Sequence, residues 1–102
     1  MNSPIKLIMS WDITPEREQE YFEFVIREFL PGMQRLGFEL SDAWATVYGD
    51  QPQIQVAAIL PSQNRLNALM QSSDWVSLNN QLQDFVHNFT KKVVPARGGF
   101  QF

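Results

Sequence analysis

The sequence predicts an α+β fold in which a four-stranded antiparallel sheet carries its helices on one face. Three observations lead there. The hydrophobic periodicity switches in the order strand, helix, strand, strand, helix, strand, which is the ferredoxin-like βαββαβ plan. The two middle strands flank "GDQP" (residues 49–52), where Gly49, Asp50 and Pro52 are turn residues. A chain of 102 residues that is 44% hydrophobic forms one domain, residues 1–102, with one modest core.

The first element is "IKLIMSWDI" (5–13). Ile5, Leu7, Met9 and Trp11 point one way; Lys6, Ile8, Ser10 and Asp12 point the other, as in a half-buried strand. Thr14 then reads as a helix N-cap, with Pro15 in the first helical position and Glu16 and Glu18 at the positive helix end. Phe22, Val25, Ile26, Phe29, Met33 and Leu36 share one helix face. Phe24 falls roughly 150° from the middle of that face. Pro31 removes a mid-helix hydrogen bond and predicts a kink or break near Leu30–Gly32. Gly37 is the C-terminal stop.

"FELSDAWATVYGDQPQIQVAAIL" gives the second and third strands. On the second, Ala43, Ala45 and Val47 oppose Trp44, Thr46 and Tyr48. On the third, Ile54, Val56, Ala58 and Leu60 oppose Gln53, Gln55, Ala57 and Ile59. A short helix capped by Ser62 follows. A longer one starts with Ser73 as cap and Asp74 in its first turn. Its expected stripe is Trp75, Leu78, Leu82, Phe85, Val86, Phe89 and Val93. "VVPARGGFQF" reads as a final weak strand, which Pro95 confines to a sheet edge.

Composition narrows function. The net charge is −3, with eight basic residues. Clustered Lys and Arg are what nucleic acids and anionic membranes require, so neither is an expected partner. The third strand also lacks the exposed aromatics of RNA-binding sheets. No apolar run reaches the roughly 18 residues of a membrane span. "MNSPIKLIMSWD" is interrupted too early for a signal peptide, so a cytoplasmic location is expected. With no cysteine there is no disulfide or thiolate metal site.

Chemistry is harder to locate. His87, the only histidine, lies roughly 150° from the last helix's stripe on a helical count. That places it on the solvent face, beside Asn80, Gln83, Asp84 and Lys91. Glu16, Glu18, Glu20 and Glu23, with Arg17 and Arg27, read as a solvated helix face. No carboxylates are paired in the contrasting environments that acid–base catalysis uses. The serines lack a GxSxG context. No metal-ligand spacing occurs, and neither a metal nor a cofactor is expected. "ARGGF" reads as a bend in an edge strand.

The helices cover one sheet face. Leu7, Met9, Trp11, Ala45, Val47, Ile54, Val56 and Ala58 suit that side. The other face carries Ile8, Ser10, Trp44, Thr46, Tyr48, Gln53, Gln55, Ala57 and Ile59. It is too apolar for water and too polar for a core. Burial against a symmetric copy resolves the conflict. The expected partner is therefore the chain itself, a homodimer through the face with Trp44, Thr46, Tyr48, Gln53 and Gln55.

These features together resemble the dimeric α/β-barrel superfamily, which holds antibiotic-biosynthesis monooxygenase-like and NIPSNAP-like domains. The likeness rests on the length, on "LGFEL" leading into the second strand, and on the hairpin "WATVYGDQPQIQVAAIL". It rests also on "SQNRLNALMQS" running into "SSDWVSLNNQL". The resemblance implies two sheets stacked as a dimer and a pocket between helices and sheet. By position Trp75 lines that pocket, with Trp11 on the same inner side. Asn79 and Arg97 are residue types that cofactor-free oxygenases of the group use. Haem-degrading members carry a pocket-facing histidine on the last helix, and His87 faces away. The resemblance thus implies a small homodimeric protein binding a small apolar or aromatic molecule. The alternative is a cofactor-independent monooxygenase or isomerase acting on an aromatic substrate. In the simplest reading both tryptophans are core residues.

Overall fold

The computed structural model describes residues 3–46 and 53–96. Val47, Tyr48, the turn expected at 49–52 and Arg97 lie outside the described residues. Strand β1 (Ile5–Ile13) is central, flanked by β3 (Ile54–Leu60) and β4 (Val86–Pro95), with β2 (Glu39–Ala45) beyond β3. Every neighbouring pair is antiparallel. The helices α1 (Glu18–Phe24), α2 (Leu30–Leu36), α3 (Gln63–Met70) and α4 (Ser73–Gln83) pack on one face. This is the ferredoxin-like α+β fold.

The alternation in β1 holds. Leu7, Met9 and Trp11 are fully buried, and Val56 and Ala58 of β3 join them beneath the helices. Ala45 does not: it is exposed, and Ile54 is half-buried. β2 is an edge strand that the helix layer covers poorly, and most of its residues are exposed whichever way they point.

The first helix starts later than expected. The Thr14 N–H donates to Phe85 O at 2.9 Å, extending the sheet, and Arg17 N donates to Thr14 O at 3.1 Å. Thr14 and Pro15 therefore form a turn, with Glu16 at φ 72°, and α1 opens after Arg17 without a side-chain cap. Arg17 closes the corner: its guanidinium lies 4.8 Å above the Phe85 ring and donates to Asp84 O at 3.3 Å.

Pro31 acts through the turn before it. Val25–Phe29 form a π-turn, in which the Leu30 N–H reaches Val25 O. The wide turn takes up the hydrogen bond that Pro31 cannot make and the clash its ring would cause one turn back. The helical run continues through α2. A π-turn holds an extra residue, so it rotates everything N-terminal to it relative to an α-helical count. Phe24, expected outside, is buried with Tyr21, whereas Phe22 and Ile26, expected inside, are 48% and 66% exposed. At its far end α2 closes as expected at Gly37, φ 108°. Phe38 N donates to Met33 O and Gly37 N to Gln34 O, a Schellman closure that needs glycine.

Ser62 caps α3, accepting from Arg65 N at 3.1 Å. The cap of α4 is Ser72, one residue before the expected Ser73; it accepts from Trp75 N at 3.2 Å.

The largest correction concerns the last helix. α4 ends at Gln83, and Val86–Pro95 form β4 along the edge of β1. His87 therefore sits on a strand, opposite Asp12. Val86 and Phe89 both turn toward the core, three residues apart, which is why the segment passes for helix. In an unbroken strand they would face opposite sides. A bulge reconciles them: two steps along β1 (Ser10 to Asp12) match three along β4 (Thr90 to His87). Asn88, at φ 57°, supplies the extra residue. Pro95 lies on an edge strand, as expected.

Candidate functional site

The expected site residues occupy different settings. Trp11 and Trp75 belong to one buried aromatic cluster. Phe29 joins them, edge-on to Trp11 at 6.0 Å and tilted to Trp75 at 6.1 Å. Phe89 stacks on Trp11 at 5.9 Å, and Phe38 lies 5.3 Å from Trp75. Trp11 Nε1 donates to the Tyr21 hydroxyl at 2.9 Å within the core. Burial pushes the Tyr21 phenol above its ordinary pKa, and the Trp11 donor pulls weakly the other way. Asn79 lies one turn after Trp75, half-buried, and accepts from Gln83 Nε2 at 3.3 Å. Arg97 falls outside the described residues.

The sequence reading missed a trough where β2 escapes the helix layer. Leu30, Leu40, Ala43 and Val56 line it, with Ser41 and Asp42 at its margin, around a space of about 220 Å³. Phe22 and Ile26 continue the Leu30 stripe along α1 and the π-turn. Spacings of four residues put all three on one side of a helix, and that spacing was the available signal. A second cleft, of about 410 Å³, separates α2 from α4 beside Gly32, Arg35, Leu36, Asp74 and Leu78. Leu78 Cδ2 lies 2.9 Å from where a Gly32 side chain would begin, so glycine sets that helix approach.

The open sheet face is ordered in rows. One runs Asp42, Ala57, Ile8, Lys92 across β2, β3, β1 and β4; the next runs Trp44, Gln55, Ser10, Thr90. Thr46 and Gln53 lie beyond these, joined by Thr46 N donating to Gln53 O. Trp44 is 48% exposed, yet Ala57 is 1% exposed. Lys6 reaches over the intervening strand to Asp42, 3.6 Å away. Tyr48, expected on this face, lies outside the described residues.

Where β1 meets β3 and β4, the Asp12 carboxylate accepts from Gln53 N at 2.9 Å and from Asn88 Nδ2 at 3.0 Å. His87 Nε2 stands 3.9 Å away. The Asn88 hydrogen bond, then that of Gln53, holds Asp12 below its ordinary pKa, and His87 adds least. Gln53 Oε1 accepts in return from Ile13 N at 2.8 Å. The arrangement pins the bulge and ties three strands together. Among the described residues no three His, Cys, Asp or Glu side chains gather to hold a metal ion, and no helix is long and apolar enough to cross a membrane.

No protein-family model matches the chain, and no curated protein sequence matches it. Its fold has clear counterparts among solved structures. A NIPSNAP family protein from Agrobacterium tumefaciens superposes with a TM-score of 0.72 at 17% identity, over 97% of this chain and 90% of that one. A NIPSNAP-like domain protein from Burkholderia xenovorans gives 0.70 at 14% identity, over 97% and 90%. An antibiotic biosynthesis monooxygenase-like protein from Nitrosomonas europaea gives 0.72 at 7% identity, over 97% and 95%. At these identities the likeness is one of fold. It is the fold of the superfamily that the sequence resembles.

Proposed function

We propose that the chain is a homodimeric small-molecule-binding protein that takes a compact apolar or aromatic molecule at the β2 side of its helix–sheet layer. The observation that carries this reading is the trough. Its walls are apolar, and two exposed hydrophobic side chains, Phe22 and Ile26, precede its Leu30 at spacings of four residues on the same helical run. Leaving such a patch wet is unfavourable by roughly 25 cal/mol per Å², and a ligand laid along it removes that cost. The Phe22–Leu30 stripe is about 12 Å long at helical rise, the length of a bicyclic aromatic or a medium alkyl chain. Trp11 and Trp75 back the site through Phe29, the helix neighbour of Leu30.

The homodimer is supported by the outer sheet face, where Trp44 stands exposed in the row next to that of Ala57 and Ile8. A face of four strands, seven residues long, covers roughly 450 Å² per copy. That is at the small end of specific interfaces, and micromolar dissociation is expected.

The test uses N-phenyl-1-naphthylamine, a neutral probe that brightens in apolar sites. The wild type should bind it saturably. Ala43→Phe, which fills the trough from an exposed strand position, should abolish binding with little change in melting temperature. Unchanged binding to Ala43→Phe would refute the site. The enzymatic alternative, a cofactor-independent monooxygenase or isomerase, draws on the Trp11–Tyr21 pair, a phenol held inside the apolar core. It requires Tyr21→Phe to abolish turnover of an aromatic substrate while leaving probe binding intact.

A further inference from the structure

The cleft between α2 and α4 carries charge in a pattern that the trough lacks. Arg35 stands on its α2 wall and Asp74 on its α4 wall, with Leu36 and Leu78 between them. We infer that this cleft is a second ligand site, one that takes a free α-amino acid with an apolar side chain. It lies between two helices, whereas the trough lies between a helix and β2. The inference therefore stands apart from the ligand and dimer readings above.

The backbone sets up the two walls. The helices are closest where Leu78 fills the place of a Gly32 side chain. From there the cleft opens toward the last turn of α2 and the first turn of α4, around a space of about 410 Å³. Small-molecule sites span about 300–1,000 Å³. Arg35 is in that last turn and Asp74 in that first turn. Each charge is thus favoured by the dipole of its own helix end. Neither makes an ion pair among the described residues. Asp74 is also spare as a cap, because Ser72 Oγ already accepts from Trp75 N at 3.2 Å and Ser72 O from Val76 N at 3.1 Å. At the end of α2 a second cation, Arg65 of α3, comes within 3.4 Å of where a Gly37 side chain would begin. Arg35 is thus not the only cation at that helix end. Opposite charges line one space and do not meet across it.

That arrangement selects its occupant. An anion would satisfy Arg35 and be repelled by Asp74. A cation would satisfy Asp74 and be repelled by Arg35. An uncharged molecule would strip water from both and replace it for neither, which is costly. An α-amino acid carries both charges on one carbon and is neutral as a whole. Its carboxylate matches the planar fork of the Arg35 guanidinium. Its ammonium donates to the Asp74 carboxylate. The side chain then lies on Leu36, which is half-buried, and Leu78, where apolar atoms leave water favourably. Arg35 and Asp74 are both exposed, so salt screens them. The expected dissociation constant is on the order of 1 mM at low salt.

The test titrates the labelled full chain with L-leucine and follows its backbone amides by NMR. Saturable shifts should centre on residues 32–36 and 73–78. Three analogues separate the contributions in the wild type: N-acetyl-L-leucine lacks the ammonium, isoamylamine lacks the carboxylate, and glycine lacks the side chain. Each should bind about tenfold more weakly than leucine. Arg35→Gln and Asp74→Asn should weaken leucine binding by a similar factor, with the fold confirmed by circular dichroism. If either variant fails to fold, the analogues carry the test alone.

Absence of saturable shifts with leucine would overturn the inference, because the two charges would then serve only the helix ends or each other. Shifts centred elsewhere would overturn it too. So would equal affinity for leucine and isoamylamine, or for leucine and N-acetyl-L-leucine, since the cleft would then read only the apolar part. Weakening by both charge-deleted analogues, with shifts confined to the two helix ends, supports it.

Discussion

Asp12→Asn isolates the junction of the three strands. The substitution keeps size and shape but removes a charge and an acceptor. An asparagine there can still accept from Gln53 N through its one oxygen. Its amide nitrogen then faces Asn88 Nδ2, donor against donor, where the native bond is 3.0 Å. A hydrogen bond to a charged group contributes about 1.5–3 kcal/mol when well buried. The Asp12 side chain is 29% exposed, so water replaces part of it, and roughly 1 kcal/mol of destabilisation at pH 7 is the expected loss. The effect should depend on pH with a definite sign. The folded pKa of Asp12 lies below its ordinary 3.8. The stability that ionisation brings is therefore complete above the unfolded pKa and disappears as pH falls through the folded one. Urea denaturation of both proteins, at one fixed chain concentration from about pH 6 down to about pH 2.5, reads this directly. The gap between them should narrow on acidification. Equal stability at pH 7, or a gap of constant size, would refute the assignment of Asp12 as a charged clasp on the bulge.

Three other outcomes follow from single contacts. Tyr21→Phe leaves Trp11 Nε1 buried without its acceptor and should cost about 1–3 kcal/mol in chemical denaturation. Unaltered stability would mean that water reaches the indole. Asn88→Val places a branched side chain at φ 57° and should cost about 1–2 kcal/mol from backbone strain. Asn88→Gly should cost less, because it loses only the Asp12 bond; the reverse order would deny the strain. Phe29→Ala removes the ring that joins the two core tryptophans and should cost about 3–5 kcal/mol. A smaller loss measured by thermal unfolding would show that the aromatic cluster collapses to fill the space.

The sequence was legible where one local rule met no competitor. β1 and β3 lie in the sheet centre, so their alternation reports burial on both sides of each strand. Gly37 and Ser62 act through neighbours within five residues. The errors arose where a distant partner decided. Residues 84–93 carry apolar side chains at spacings that a helix and a bulged strand satisfy alike. The choice between them is made by β1, some 75 residues upstream, and by Asp12 holding Asn88 at a positive φ. Of the expected site, the inner placement of Trp11 and Trp75 was readable from periodicity. The partner that joins them, Phe29, was readable only as another core residue.

The first helix gives the more instructive case, because one displacement accounts for two observations. A straight helix carrying Phe22, Val25, Ile26, Phe29 and Met33 would bury all five against the sheet. Pro31 removes one hydrogen-bond donor, and the run answers with a π-turn. The extra residue turns Tyr21 and Phe24 into the core and leaves Phe22 and Ile26 on the surface. Two side chains that the sequence reading assigned to the core thus stand exposed. If that reasoning is right, Pro31→Ala should let the turn revert toward regular α-helix. Phe22 would then return toward the sheet and N-phenyl-1-naphthylamine affinity would fall, although no residue lining the trough has changed. A variant that keeps full affinity would separate the trough from the π-turn and leave the exposed stripe without a cause.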